Sequence, residues 1–573
     1  MPCCLFENGG KESTDPATPV SEGGGGMKMD AQNAKDVIRY HEQTKHHFHR
    51  YAKSSAYMDW KNQPNPFREY QDCPRIPLPL GRKDPACGYQ EMYQSGRVSA
   101  EPVNLATVGR FLALSLGLSA WKVAGGAKWA LRMNPSSGNL HPTEAHLLLP
   151  NTVDTQAGVF HYSPLFHSLE RRAVIPNAIW EKFDIDFGTG GFFIALTSIF
   201  WRESWKYGER AFRYCQLDVG HALAALCLVA NLFGWRLIRL DCPSDKEIEI
   251  LFGLDKMAWN PTDQEHPDLL CFVTPRNMSV MDTAIRDDII NGFSRIDFSG
   301  MHNRLGRAAV NWEAIDRVAR VARKPATDPQ PALLPEDWLP ISPEVAIPAT
   351  EIIRKRRSAV SFDGKSVFPR ERFFSLLFRT LPRKNCLPFD GVIATPSVHL
   401  LLFIHRVEGL SPGLYFFLRN GAHLARLQKA MKPIFKWQPV QDGLPLFRLS
   451  EEEVVLEAIE VSCHQDIAGL SCFSLGMIAE FQSIVEKAPY RYRHLFWEAG
   501  MVGQVLYLEA EAQGFRGTGI GCFFDDAVHK IMGVTGNAFQ SLYHFTVGIP
   551  VDDERLTTLP AYHHLQEQRI SPQ

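Results

Sequence analysis

Charge of one sign is the first thing this sequence lacks. Its 61 Lys and Arg nearly balance 63 Asp and Glu, a formal −2 over 573 residues. That balance gives no electrostatic basis for holding nucleic acid or an anionic membrane. Long apolar runs are missing too: nothing reaches the ~18 uninterrupted apolar residues expected of a spanning helix. The richest stretch, 220–234, is broken by His221 and Asn231 and reads as a core helix. No CxxC occurs among the twelve cysteines, and only Cys3 and Cys4 adjoin. A disulfide framework or zinc site needs tighter spacing, so the expectation is reduced thiols in a cytoplasmic setting, with no metal. A secretory leader is not evident either. Residues 1–26 carry acids, prolines and a four-glycine run, which predicts a disordered tail over 1–30, with Met27 or Met29 as alternative starts.

What is present is enough chain for two cores, at 45% hydrophobic residues. Seven prolines crowd between Arg323 and Thr350, too many for a helix or a central strand. They predict an extended linker over 311–348, separating a first lobe at 31–310 from a second at 349–573. The lobes repeat each other. Residues 213–254 set against 493–534 without gaps give 10 identities in 42, among them Arg213/Arg493, Gly220/Gly500, Cys242/Cys522 and Asp245/Asp525. A second block, 135–149 against 388–402, gives 6 in 15. Each copy reads as a buried strand, a Gly-aromatic strand, a packed helix ending at a glycine (Gly234, Gly514) and a closing strand that ends in proline. The expected class is α+β: a mostly antiparallel sheet covered by helices, twice, the copies pairing as a dimer fused into one chain.

Three polar segments carry candidate chemistry. The first, RMNPSSGN at 132–139, offers Arg132, then Pro135, the Ser136 and Ser137 hydroxyls, Gly138 and Asn139 in a tight turn able to hydrogen-bond a ligand edge. A solvated turn is the plain alternative. The second copy argues against it, since it keeps Pro388 and Gly391 but puts Phe389, Asp390 and Val392 where the polar groups were. The second segment, RKRRS at 354–358, places Arg356, Arg357 and Ser358 as a fork and hydroxyl suited to a phosphate. Its expected counterpart, Gln43 to His46, is poorer in arginine. The third, RGTGIG at 516–521, has Gly517, Gly519 and Gly521, which let backbone approach a flat ring; the first lobe has no glycine there. So each lobe lacks what the other retains.

Together the Arg-x-x-Pro-Ser-x-Gly turn followed by Pro142 and Glu144, the Arg-Arg-Ser near a lobe start and the Gly-rich turn before a strand ending Gly548-Ile-Pro550 resemble the nitroreductase-like FMN family. The YHEQTK opening at 40–45 and KYGERAFRY at 206–214 are most similar to its azoline (thiazole/oxazole) dehydrogenase branch. The resemblance covers both lobes. It implies FMN at a subunit interface, with the Arg-Arg-Ser and Gly-rich turns from one side and the Pro-Ser-Ser turn from the other, hence one complete site per chain. It also implies a proton-abstracting role for Lys206 and Tyr207, with a desolvated lysine. One departure is Val360, where the family carries a further arginine; Lys365 is a candidate substitute. His46, His47 and His49 read as the solvated face of a helix near the tail. The expected function is an FMN-dependent oxidoreductase, a monomer acting on a small-molecule or peptide substrate with an azoline-like C–N bond. An NAD(P)H-dependent nitro or quinone reductase and a non-catalytic flavin-binding scaffold stay open as alternatives.

Overall fold

A computed structural model of the chain describes residues 23–80, 84–260, 262–275, 284–308, 310–329, 334–335 and 347–565. Two seven-stranded sheets dominate it. The first contains β1 (Arg75–Pro77), β2 (Thr143–Leu149), β3 (Gly158–Ser163), β4 (Ser168–Val174), β5 (Phe192–Ser198), β6 (Trp235–Arg239) and β7 (His266–Pro275). Its spatial order is β1-β4-β3-β2-β5-β7-β6. The second contains β8 (Val398–Ile404), β9 (Gly413–Phe417), β10 (Gln438–Gln441), β11 (Leu444–Ser450), β12 (Phe473–Glu480), β13 (Arg516–Ile520) and β14 (Phe539–Gly548). Its order is β10-β11-β9-β8-β12-β14-β13. Six strands of the two orders correspond one to one, the outer edge strands β1 and β10 coming from different places in the chain, and every neighbouring pair is antiparallel. The fold class is therefore the α+β pseudo-dimer read from the repeats. Central β2 and β8 are buried along their whole length, so TEAHLLL and VHLLLFI read as near-continuous rather than alternating apolar runs.

The lobes meet at their repeated helices, α3 (Ala211–Leu232), preceded by the shorter α2 (Phe200–Tyr207), and α6 (Arg491–Ala512). The stretch Phe200–Leu232 is long and apolar enough on composition to cross a bilayer, but its apolar window is wholly buried inside the protein as a core helix. The crossing depends on two aligned glycines. A Cβ on Gly220 would lie 2.3 Å from the Trp497 carbonyl oxygen, and one on Gly500 would lie 2.2 Å from that of Leu217. Only glycine permits backbones that close. Reciprocal ion pairs flank the crossing: Arg213 donates to Asp525 at 2.7 Å, and its aligned partner Arg493 donates to Asp245 at 2.9 Å. All four side chains are buried. Removing Arg493 strands the Asp245 charge, a cost of about 3–5 kcal/mol, whereas Asp525 also pairs with Arg210.

Several segment boundaries differ from the sequence expectation. The helix α1 (Gly23–Gln43) begins inside the stretch expected to be a disordered tail, because the good helix formers after Met27 carry the helix back into it. Residues 1–22 of that tail lie outside the described residues. The expected linker at 311–348 contains a helix, α4 (Glu313–Val321), which buries Ala314, Ile315 and Val318. Pro331, Pro340 and Pro343 lie outside the described residues. The histidines do not form a solvated helical face: α1 ends at Gln43, and buried His46 donates its backbone N–H to Asp525 at 3.0 Å. Lys324 does the same to Asp245 at 2.9 Å. The stretch at 43–46 thus corresponds to the residues following α4 and not to the arginine cluster.

Candidate functional site

One cavity of about 830 Å³ opens between the lobes. Its lining includes Arg132, Pro135, Ser136 and Asn139 from the first lobe, and Arg356, Arg357, Ser358 and Val360 from the second. These segments stand more than 200 residues apart in the chain. The second lobe's end closes one side, since Thr557–Leu559 pairs with the strand Leu118–Ala124, itself paired with Ala127–Arg132.

The arginine cluster follows the short helix α5 (Ala349–Lys355). Ser358 bridges to Gly517, and the Ala359 N–H donates to the Gly517 carbonyl at 3.2 Å, which adds the cluster to the β13 edge. Buried Arg356 reaches across the lobes and donates to the carbonyls of Met133 (3.2 Å) and Arg132 (3.1 Å). Arg357 donates to the carbonyls of Arg354, Arg356 and Ser119. Arg132 donates to those of Thr143 and Pro66. All three guanidiniums spend these bonds on neutral carbonyls; Glu144 lies near Arg132 and Glu511 near Arg356 and Arg357, and Asp552, Asp553 and Glu554 also line the cavity. Burial, then the neighbouring Arg356 charge, lowers Arg357 to about 10. Lys122 lines the same wall, and burial followed by Arg357 lowers it as well.

The Pro-Ser-Ser turn is built by left-handed backbone at Gly138 (φ 59°), Asn139 (60°) and His141 (52°). Buried Asp218 on α3 accepts from the Ser137 backbone N–H (3.0 Å) and hydroxyl (3.1 Å). Ser136 Oγ accepts the His141 N–H at 2.8 Å, while the Asn139 amide donates to the Ala130 carbonyl at 2.8 Å. Glu144, two residues beyond Pro142, pairs with buried Arg202, which also donates to the His141 carbonyl at 2.7 Å. The motif's hydroxyls and amide thus fix the turn, and of these residues Ser136 and Asn139 line the cavity while Ser137 does not. Burial raises the Asp218 carboxyl to about 7, against the lowering effect of the serine bonds. Next to it Glu203 on α2 is fully buried, and neither carboxylate oxygen has a hydrogen-bond partner. Burial and then Asp218 push its pKa well up.

Lys206 and Tyr207 sit on this turn: a Cβ on Gly138 would lie 2.6 Å from the Tyr207 hydroxyl and 3.3 Å from Lys206 Nζ. They therefore face the lobe pairing that keeps its polar turn. The expected desolvation of the lysine is absent, because Lys206 is exposed at the end of α2. Burial raises the Tyr207 phenol instead.

The glycine segment is corrected as well. Residues 516–520 form edge strand β13, not a turn, and Gly517, Gly519 and Gly521 do not line the cavity. A Cβ at each would strike, in turn, the Phe545 ring, the Tyr543 hydroxyl and the Tyr214 ring. The protein's own aromatics take the space the sequence reading gave to a ligand. Tyr507 completes that layer, hydrogen-bonding Ser358 Oγ (2.9 Å) and accepting the Gly519 N–H (2.8 Å).

At the equivalent place in the other lobe pairing, the 388–392 turn closes on the sheet. Arg239 N–H at the end of β6 donates to the Gly391 carbonyl at 3.1 Å, and Phe389 and Val392 are buried. Sequence reading missed Asp218 and Glu203 as site residues. The aligned acids Asp218 and Glu498 were a signal, since Glu498 likewise accepts the Ser397 N–H beside the second copy's turn.

Comparison with known proteins agrees with this architecture. Residues 413–549 match the model of the nitroreductase family. A protein of Methanocaldococcus jannaschii assigned as a nitroreductase is 29% identical over 125 residues, spanning 20% of this chain and 62% of that protein. A crystal structure from Anabaena variabilis, likewise assigned as a nitroreductase, superimposes with a TM-score of 0.66 at 21% identity, over 90% of this chain and 99% of that one. That coverage extends the shared fold across both lobes. The E. coli microcin synthetase McbBCD complex reaches a TM-score of only 0.26 at 19% identity, over 35% of this chain and 70% of that one, too little for a structural argument.

Proposed function

We propose that this chain, whose residues 413–549 carry a nitroreductase-family domain, is an FMN-dependent oxidoreductase with one flavin in the interlobe cavity. The observation that carries the reading is the set of three guanidiniums, Arg132, Arg356 and Arg357, bonded to neutral carbonyls around a cavity of about 830 Å³. That volume lies within the range of cofactor pockets. A phosphate suits such a fork, and planar guanidiniums bind it bidentately. Val360, 68% exposed at the cavity wall, leaves the phosphate to these arginines and Lys122.

When bound, FMN supplies hydride chemistry. The chain's residues supply the rest. Arg356 ties the two lobes together at the cavity wall, Asp218 holds the Ser136-Ser137 turn, and Tyr207 presents a protonated phenol beside Gly138. Lys206 is the group available to take a proton from a substrate carbon next to a C–N bond, as oxidation of an azoline-like substrate requires. Reduction of nitro or quinone compounds by NAD(P)H is the second reading, favoured by the exposure of Lys206, because an open site reduces small acceptors without a desolvated base. The closed 388–392 turn supports a single flavin per chain.

The test is the visible spectrum of the purified protein, with flavin released by heat and counted against protein. One FMN per chain, bleached by a nicotinamide donor or by an azoline-containing peptide, is expected. A colourless protein that takes up no FMN refutes the reading, and two per chain refutes the single site.

A further inference from the structure

Sequence spacing gave no reason to pair any cysteines, yet Cys463 and Cys522, 59 residues apart, meet with their Sγ atoms 2.7 Å apart. A disulfide bond is about 2.05 Å long, so little movement separates contact from covalency. Both residues are partly exposed, whereas Cys215, Cys227, Cys271 and Cys472 are buried.

Their surroundings hold them in place. Cys463 (φ 55°) and His464 (φ 57°) are consecutive left-handed residues without being glycine, a conformation that persists only where neighbours enforce it. Gln465 does so by donating to the carbonyls of Ser462 (2.8 Å) and Cys522 (3.1 Å). The Phe524 N–H donates to the Val461 carbonyl at 2.8 Å. Polar groups then favour negative charge on one sulfur. His46 Nδ1 accepts the Ala52 N–H at 2.9 Å, which puts the ring proton on Nε2, and the ring hydrogen-bonds the Cys522 side chain. Arg210 donates to the Gly521 carbonyl at 3.3 Å and, together with Arg213, shares the single carboxylate of Asp525. Two cations thus face one anion beside the sulfurs. The contact between the two sulfurs, with the His46 ring beside it, holds the Cys522 thiol well below its usual range and pushes the Cys463 thiol up.

We propose that Cys463 and Cys522 form a thiol–disulfide exchange centre for low-molecular-weight disulfides, with Cys522 the attacking and Cys463 the resolving sulfur. Cys522 thiolate attacks one sulfur of a disulfide RSSR, breaks the S–S bond and expels one thiolate RS⁻, which takes up a proton. Cys463, giving up its proton, attacks the Cys522 sulfur of the mixed disulfide and releases the second RSH. The net change is one protein dithiol plus RSSR to one protein disulfide plus two RSH; the cysteines lose two electrons and the reagent gains them. The sulfurs are half-buried, and Phe48 and Tyr51 pack their rings on Phe524, two residues from Cys522, at 4.7 and 5.7 Å, a crowded setting that favours a small reagent over a protein. The centre lies close to the candidate site, since the Tyr214 hydroxyl donates to the Gly521 carbonyl at 3.0 Å and its ring lies 4.6 Å from Tyr207. The exchange does not require flavin.

The full chain is treated with oxidised glutathione, quenched with an alkylating agent and mapped by mass spectrometry. Cys463 and Cys522 are expected to become linked to each other, and to be freed by dithiothreitol. In Cys463→Ser a stable glutathione adduct should collect on Cys522; in Cys522→Ser none should form on Cys463 in the same time. Without oxidant, Cys522 should alkylate at least about tenfold faster than Cys73, another partly exposed cysteine whose thiol burial raises to about 11. His46→Gln should remove most of that advantage. Absence of the link in the wild-type chain overturns the proposal, as does an adduct that prefers Cys463, or equal alkylation of Cys522 and Cys73. The wild-type map decides the matter even if a variant fails to fold.

Discussion

Replacing Asp218 by asparagine tests the electrostatics under the Pro-Ser-Ser turn. Burial raises the Asp218 carboxyl to about 7, whereas in an unfolded chain it ionises near 3.9. The folded state therefore binds more protons than the unfolded state between those values, so stability falls as pH rises from about 4 to 7 and is level above. This is opposite in sign to a salt-bridged carboxylate. At 1.36 kcal/mol per pH unit the ionised group costs the folded chain about 4 kcal/mol above pH 7, of which about 1.5 kcal/mol is already present at pH 5. The substituted amide would keep an oxygen to accept the Ser137 N–H but lose one hydroxyl bond, a pH-independent cost of about 1 kcal/mol. Urea midpoints of wild type and Asp218→Asn, followed by tryptophan fluorescence, should diverge between pH 5 and 8. The variant gains about 2–3 kcal/mol on the wild type over that range. Titrations common to both proteins cancel in the difference. A difference that does not change with pH would mean that Asp218 is ionised throughout, and the account of a protonated acid beside the turn would be refuted.

Other perturbations test the site and the crossing. Arg357→Ala should weaken FMN by about 1.5–3 kcal/mol, the value of a charge-assisted bond, and Arg357→Lys should recover only part of it because the fork is lost; flavin titration by fluorescence quenching reads both. Lys206→Ala and Tyr207→Phe should leave flavin content unchanged while slowing oxidation of an azoline substrate by about 10²-fold or more, and full retention of that activity would remove both from the proton transfer. Gly220→Ala drives a methyl into the Trp497 carbonyl and should cost about 1–3 kcal/mol, visible as a lowered melting temperature, whereas an unchanged melting temperature would show that the helix crossing tolerates separation.

The sequence by itself determined the two repeated blocks, the strand-helix order around each and the division of polar turns between them. These were legible because they depend on local signals: runs of apolar residues, glycines at helix ends, and chemically specific identities such as Arg213/Arg493 and Asp245/Asp525. The cross-lobe meeting of Ser136 with Arg356 was implied by the family resemblance and not by the residues alone. Tertiary structure alone decided what each side chain touches. Gly519 looked like room for a ligand and proved to be room for the Tyr543 hydroxyl, because a missing Cβ in the sequence does not say what fills its place. The family resemblance implied a desolvated Lys206, but the helix end turns it outward while Glu203, one turn earlier, is buried without a hydrogen-bond partner. Asp218 lies 81 residues from Ser137 and Cys463 lies 59 from Cys522. Contacts across such distances come from how helices and loops pack in three dimensions, and residue spacing along the chain carries no record of that packing.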